Sequence, residues 1–325
     1  MTLWVLFHLT VGLFGTWCAR RYALRANLLD QPGARRSHDA PTPRGGGVAI
    51  VIALLIATIW LGTTFPERRL WSSCFAIGLA VVAGIGWFDD HRPLSAWLRL
   101  AVHLLAAAVL AWGTQQTFGN PWLTAGALLL GVGLTNAWNF MDGIDGIAAG
   151  QAAIIAVAIT IAAAGTEQWL AVALAAACAG FLPMNFPKAK IFLGDVGSGA
   201  LGFTLAALLT GITAKQSALD GLLVLLPLAP FLVDTVLTLA SRVIRGEQWW
   251  TAHVGHTFQI WARRVRSHRP VTLAYCVWAA LGSALWLALR GRDFGFITLS
   301  LTAWYMATIT IWFYLRRPRD GAHKD

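Results

Sequence analysis

The chain has 325 residues, 57% of them hydrophobic and 12% charged, against about 45–50% and 25% in a soluble domain, which excludes a water-soluble globular enzyme. Seventeen Trp, a mean hydropathy of +0.61 and long charge-free stretches exclude fibrous, disordered and disulfide-scaffold classes and indicate a polytopic membrane protein. The formal charge of +10 is spread between hydrophobic runs, a pattern of membrane topology and not of a nucleic-acid-binding face.

A membrane span takes about 20 mainly apolar residues, and eleven such runs follow one another at 2–19, 45–65, 70–88, 98–116, 121–138, 147–165, 168–185, 197–214, 217–240, 271–289 and 294–315. The first lacks the basic amino-terminal region of a signal peptide and carries Arg20 and Arg21 at its far end, so it is expected to remain as a helix. The charge-free stretch from Leu100 to Met141 divides at the turn-forming Gly119, Asn120 and Pro121. Cys18, Cys74, Cys178 and Cys276 are dispersed without CxxC spacing and read as small apolar fillers. The expected fold is all-α, a single integral domain over 1–325 with about eleven transmembrane helices.

Alternate loops divide the Lys and Arg residues 20 to 5, the smaller set being Arg68, Arg69, Lys215, Arg290 and Arg292. The positive-inside rule then places the amino terminus outside and the carboxyl terminus in the cytoplasm. The polar residues gather in the loops on that basic side, 20–44, 89–97, 139–146, 186–196 and 241–270, so chemistry is expected to face the cytoplasm.

Four groups in those loops carry the chemical signal. Asp89 and Asp90 are adjacent acids, which repel unless they share a cation or a proton; a solvated helix end is the simpler alternative. In Asn136–Gly146, a helix would put Asn139, Asp142 and Asp145 on one face, while Gly143 and Gly146 permit close approach of a ligand or backbone. An N-cap role would explain Asp145 alone. In Asn185–Gly199, Asp195 stands among glycines at a helix start after Lys188 and Lys190, offering a carboxylate for Mg²⁺ beside groups suited to phosphate. His253 and His256 lie three apart in a loop with Trp249, Trp250, Gln259, Arg263, Arg264 and Arg266; no third ligand suggests zinc, and phosphate, sugar or anionic-lipid contacts fit better. Asp234, inside the ninth run, is functional by default unless an Arg of a neighbouring helix pairs with it. Carboxylates, imidazoles and cations on one membrane face suit phosphoryl transfer with a lipid substrate.

These motifs resemble the polyprenyl-phosphate N-acetylhexosamine-1-phosphate transferases, in order and over most of the chain, from Asp30 to about Arg266. The acidic pair corresponds to Asp89 and Asp90, the Asn-x-x-Asp-Gly-x-Asp-Gly motif to Asn139, Asp142, Gly143, Asp145 and Gly146, and the Asn followed by Phe-x-Gly-Asp to Asn185 and Phe192–Asp195. The resemblance implies Mg²⁺, with Mn²⁺ as an alternative, on Asp195 with Asp90. It implies base stacking on Phe192, nucleoside contacts from the Asp142–Gly143–Ile144–Asp145 segment, and Asp89 or Asp90 as the group that positions or deprotonates the acceptor. Asn139, Asn185, Lys188, Arg44, His253 and His256 complete the implied substrate-binding set, and Thr42–Gly46 resembles a segment closing the cleft. The separated His253 and His256 look more like O-antigen-initiating members than peptidoglycan-precursor ones. The implied reaction moves a HexNAc 1-phosphate (GlcNAc, or a dideoxyhexose such as FucNAc or QuiNAc) from a UDP-sugar to undecaprenyl phosphate, releasing UMP, at the bacterial inner membrane. Partners are then the donor, the lipid acceptor and the bilayer, with no nucleic acid; a homodimer is compatible with this reading. A prenyltransferase usually spaces its acids by four, and a transporter places its polar groups near mid-membrane; neither pattern is seen here.

Overall fold

The structure, a computed structural model, describes residues 1–31, 40–248, 250–251 and 254–317. It is helical, apart from a two-residue antiparallel pair, β1 (Leu29–Asp30) with β2 (Thr42–Pro43), in the register Leu29 to Pro43 and Asp30 to Thr42. The helices are α1 (Thr2–Arg25), α2 (Val48–Thr64), α3 (Arg69–His91), α4 (Ala96–Phe118), α5 (Pro121–Met141), α6 (Ile147–Ala162), α7 (Thr166–Asn185), α8 (Asp195–Thr213), the short α9 (Ala218–Leu222), α10 (Ala229–Ile244), α11 (Thr257–Val265), α12 (Arg269–Leu289) and α13 (Phe294–Arg316).

Ten of the eleven apolar runs each correspond to one helix. Among the described residues seven helices, α1, α3 (extended back to Pro66), α4, α7, α8, α12 and α13, are long and apolar enough to cross a membrane, while α2 and α6 are apolar but shorter. This is fewer than the eleven spans expected. The ninth run departs most: it is not one span but α9, a 3₁₀ turn and α10. Pro227 and Pro230 explain the break, because proline supplies no N–H and its ring clashes with the preceding turn. The division after α4 falls where expected, with Gly119 left-handed at φ +64° and Asn120 Oδ1 accepting from Trp122 N at 2.9 Å and Leu123 N at 3.3 Å.

Helix α8 is the axis of the molecule. Each residue from Val196 to Ile212 is buried, and α2, α3, α5, α6 and α7 pack around it. The closest approach is to α5: a Cβ added at Gly202 would lie 2.1 Å from the Leu134 carbonyl oxygen and 2.8 Å from Thr135 Cα. At the other extreme, α13 buries only Ile297, Thr308 and Trp312. The four cysteines are unpaired.

The loops segregate by end. Glu167, buried at the start of α7, receives Lys215 Nζ at Oε2 and has Arg68 Nη2 3.9 Å from Oε1, so three non-adjacent loops meet at the end with few cations. The other end gathers the loops after α1, α3, α5, α7 and α10.

Gly202→Ala is expected to force α5 and α8 apart, at a cost of about 1–3 kcal/mol, and to lower the melting temperature of the purified protein. An unchanged melting temperature would show that the helix spacing is not set at this contact.

Candidate active site

At the basic end, a cavity of about 240 Å³ is lined by Asp30, Arg44, Asp90, Asp142, Gly143, Ile144, Asp145, Asn185, Phe192, Gly194, Asp195, Gln259 and His268. Nine of these were expected from sequence: Arg44, Asp90, Asp142, Gly143, Ile144, Asp145, Asn185, Phe192 and Asp195.

The cavity is built around the start of α8. On the last turns of α3, Gly86 and Asp90 stand four apart and share a face. A Cβ at Gly86 would lie 2.4 Å from the Asp195 carbonyl oxygen, so its absence lets α3 touch α8. One turn later the Asp90 carboxylate accepts from Asp195 N at 3.1 Å and from Val196 N at 3.2 Å. It is thus an N-cap supplied from another helix, satisfying amides that α8 itself leaves unpaired. Gly194 enters this turn at φ +78°, and a side chain there would collide with Asp90 Oδ2 at 2.5 Å. Both Asp90 oxygens are therefore engaged by backbone, and Asp195 is the carboxylate of the pair that faces outward.

Arg99 on α4 joins the remaining acids. Its Nη1 donates to Asp89 Oδ2 at 2.9 Å and to Asp195 Oδ2 at 2.8 Å, while Asp89 Oδ1 accepts from Leu94 N at 2.6 Å. Asp89 thus reaches the cavity through Arg99. On the opposite wall Arg44 Nε lies 4.0 Å from Asp90 Oδ1.

The Asp142–Asp145 stretch is a loop, not the helical face expected. Helix α5 ends at Met141 and α6 begins after Gly146, which adopts φ +76°; the glycines end the helix between them. Asn139 consequently faces elsewhere, donating from Nδ2 to Ser198 Oγ at 3.1 Å. Asn185 clamps the loop, accepting from Gly146 N at 2.9 Å and donating to the Ile191 carbonyl at 3.0 Å. Asp145 Oδ2 lies 3.2 Å from His268 Nδ1, and Thr272 Oγ1 donates to the Asp145 carbonyl at 2.7 Å. Thr42–Gly46 borders the cavity through Arg44, with Phe192 N donating to the Pro43 carbonyl and Gly46 N to the Phe192 carbonyl, at 2.8 and 2.9 Å.

A second, larger and mainly apolar groove of about 540 Å³ runs between α4, α5 and α10, lined among others by Trp97, Leu100, Val132, Phe140, Leu232 and Val236. It shares Asp142, Gly143 and Gln259 with the acidic cavity and has Arg99, Asn139 and His256 in its wall. Lys188 lies instead in a third cavity, with Arg263, Arg266 and Arg269, that meets the acidic one at Asp145, Phe192 and His268. His253 falls outside the described residues. His256 precedes α11 with an extended backbone, so no helical face extends back from it.

Four residues escaped the sequence reading as site residues. Arg99 had a signal, a cation interrupting an apolar run ten residues after Asp89. Asp30, Gln259 and His268 had none stronger than their neighbours. Among the described residues Asp234 forms no ion pair with an Arg; its partners are the amides at the start of α11, Thr238 on its own helix, side chains of α12 and α13, and the nearby His256.

Burial, with the Asp90 and Asp145 carboxylates nearby, pushes the Asp142 carboxyl up to about 8. A carboxyl raised in the folded state holds a proton that the unfolded chain releases near pH 4, so its contribution to stability is full below that pH and lost as pH rises through about 8. The melting temperature is expected to fall between about pH 5 and pH 8, and Asp142→Asn to flatten that fall. Equal slopes in the two proteins would assign the dependence to other groups.

Known proteins resemble this chain over the same region. The glycosyl transferase family 4 pattern matches residues 72–213. The decaprenyl-phosphate N-acetylglucosaminephosphotransferase of Mycobacterium tuberculosis is 31% identical, covering 87% of this chain and 81% of its own length. A Bacillus subtilis protein named a probable undecaprenyl-phosphate N-acetylglucosaminyl 1-phosphate transferase is 30% identical over 70% and 68%. The phospho-N-acetylmuramoyl-pentapeptide-transferase of Heliobacterium modesticaldum is 30% identical over 82% and 90%.

Proposed function

The chain belongs to glycosyl transferase family 4, among the polyprenyl-phosphate N-acetylhexosamine-1-phosphate transferases, and from that premise we propose that it transfers a HexNAc 1-phosphate from a UDP-sugar to undecaprenyl phosphate, releasing UMP. The observation that carries this reading is the shared wall. An acidic, polar cavity suited to a nucleotide-sugar and an apolar groove suited to a prenyl tail meet at Asp142, Gly143 and Gln259. One substrate is water-soluble and the other lipid, and the two chambers have those two characters. The basic end is assigned to the cytoplasm on the 20-to-5 distribution of Lys and Arg, with eleven membrane-embedded segments, the ninth broken. A donor carrying N-acetylglucosamine fits the names of the relatives in Mycobacterium tuberculosis and Bacillus subtilis; a dideoxy analogue and a role in initiating an envelope polysaccharide such as O-antigen are carried over from the motif resemblance.

Mg²⁺, or Mn²⁺ in its place, fits the oxygen donors present. Such an ion takes one or two carboxylates and completes its shell with substrate phosphates and water, and Asp195 offers an outward-facing carboxylate in the cavity wall. Asp195 would hold it, with Asp90 orienting Asp195 through the backbone. The metal supplies charge neutralisation at the diphosphate.

The remaining roles belong to the chain. Arg99 stands in the groove wall between two carboxylates, where an incoming lipid phosphate can exchange for one of them. Asp89 holds Arg99 in that place. An acceptor phosphate with its second pKa near 6 is largely ionised at neutral pH, so orientation is the main demand and little proton transfer is required. Phe192 offers a ring for the uracil, and Asp142 and Asp145 offer polar contacts for the nucleoside. The negative cavity keeps the donor's diphosphate out until cations compensate it, which ties binding to the metal and to Arg44 and Arg99.

The reading is tested with purified protein, undecaprenyl phosphate, Mg²⁺ and a panel of UDP-N-acetylhexosamines, following UMP release and the mass of the lipid product. No UMP with any donor would overturn it. Asp195→Asn is expected to lower turnover at least a hundredfold while leaving the protein inserted and folded, because it removes a metal-ligand charge at constant volume; wild-type turnover would show the metal assignment to be wrong.

A further inference from the structure

Asp234 lies outside the linings of the acidic cavity and the apolar groove, beside the histidine segment at His256, is 1% exposed and accepts five hydrogen bonds. Oδ1 receives Thr257 N at 2.8 Å, Thr238 Oγ1 at 3.1 Å and Trp312 Nε1 at 3.2 Å. Oδ2 receives Tyr275 OH at 2.9 Å and Phe258 N at 3.2 Å, and His256 Nδ1 is 3.8 Å from Oδ1. The carboxylate thus caps the amino terminus of α11 from α10, while α12 and α13 each supply one donor.

What α11 carries makes this anchorage consequential. Phe258 is fully buried beneath Gly143, whose added Cβ would lie 2.9 Å from the Phe258 ring and 3.2 Å from Gln259 Nε2. Gln259 lines both the acidic cavity and the apolar groove, and its Oε1 accepts from His256 N at 3.2 Å. Helix α11 has only nine residues, too few to hold its own place in isolation. A buried carboxylate receiving its first two free amides fixes both its position and its rotation.

We propose that Asp234 is a positioning residue for transfer: by capping α11 it sets Gln259 against Gly143 at the junction of the two substrate chambers. This rests on the transferase reading for its functional half and on the cap alone for its structural half.

Two measurements test the halves separately on the full-length protein. In hydrogen exchange, Asp234→Asn is expected to raise exchange across 254–266 at least tenfold, since hydrogen bonds to a charged group are the stronger ones, while 196–213 stays protected. Unaltered exchange in 254–266 overturns the cap. If Asp234→Asn does not accumulate, Tyr275→Phe and Trp312→Phe each remove one donor and are expected to show the same local effect more weakly. In steady-state assays with the UDP-sugar that the wild type uses, Asp234→Asn, or Tyr275→Phe in its place, is expected to raise donor KM, about tenfold for the former. Loss of active protein lowers only the apparent kcat and cannot produce that shift. The rise should disappear when Gln259→Ala is already present, because the two act as one unit. Additive effects, or an unchanged KM with altered exchange, overturn the positioning role. Absence of UMP release in the wild type overturns the transferase reading and with it the functional half, while the exchange result still decides the cap.

Discussion

The arrangement depends on a buried carboxylate of one helix accepting the free backbone amides of another. Asp90 does this for α8, and every other element of the acidic cavity is referred to the point it fixes. Helix α8 carries Asp195 as its first residue, so the cap that holds the helix also orients the outward-facing acid. Glycines at 86 and 194 make the contact sterically feasible. Removing the Asp90 charge would leave two amides unpaired inside the protein, where each lost hydrogen bond costs about 1–3 kcal/mol.

This explains how adjacent like charges coexist. Asp89 and Asp90 are neighbours in sequence but have different partners: one receives a guanidinium and the Leu94 amide, the other two amides at a helix start. Separate neutralisation eases the repulsion that made the pair notable in the sequence. Among the described residues no hydrogen bond to the Asp142 carboxylate is seen, and its burial raises its pKa, favouring the protonated form.

Much of this was legible beforehand. Apolar runs gave the helices because a chain in lipid must satisfy its backbone internally, and the turn at 119–121 followed from residues that cannot continue a helix. The loops that converge were legible from the Lys and Arg distribution, which reports a physical asymmetry across the membrane. The failures have causes too. The ninth run looked continuous because hydropathy does not register the missing amide of Pro227. The Asn139–Asp142–Asp145 face was inferred from helical spacing that Gly143 and Gly146 interrupt. Arg99, Gln259 and His268 joined the site through tertiary packing of α4, α11 and α12, and single residues in ordinary surroundings carry no mark of where their helix will dock.

The apolar groove between α4, α5 and α10 runs from Asp142 and Gln259, at the acidic cavity, to Val132 and Val236 within α5 and α10. If that groove receives the prenyl chain, the lengthened lipid keeps its tail among apolar groups and never crosses water. Whatever consumes it next then meets it by diffusion in a plane, where a given number of molecules is effectively far more crowded than in the cytosol. Handover between successive steps would thus be governed by bilayer viscosity and protein density, and would need no carrier.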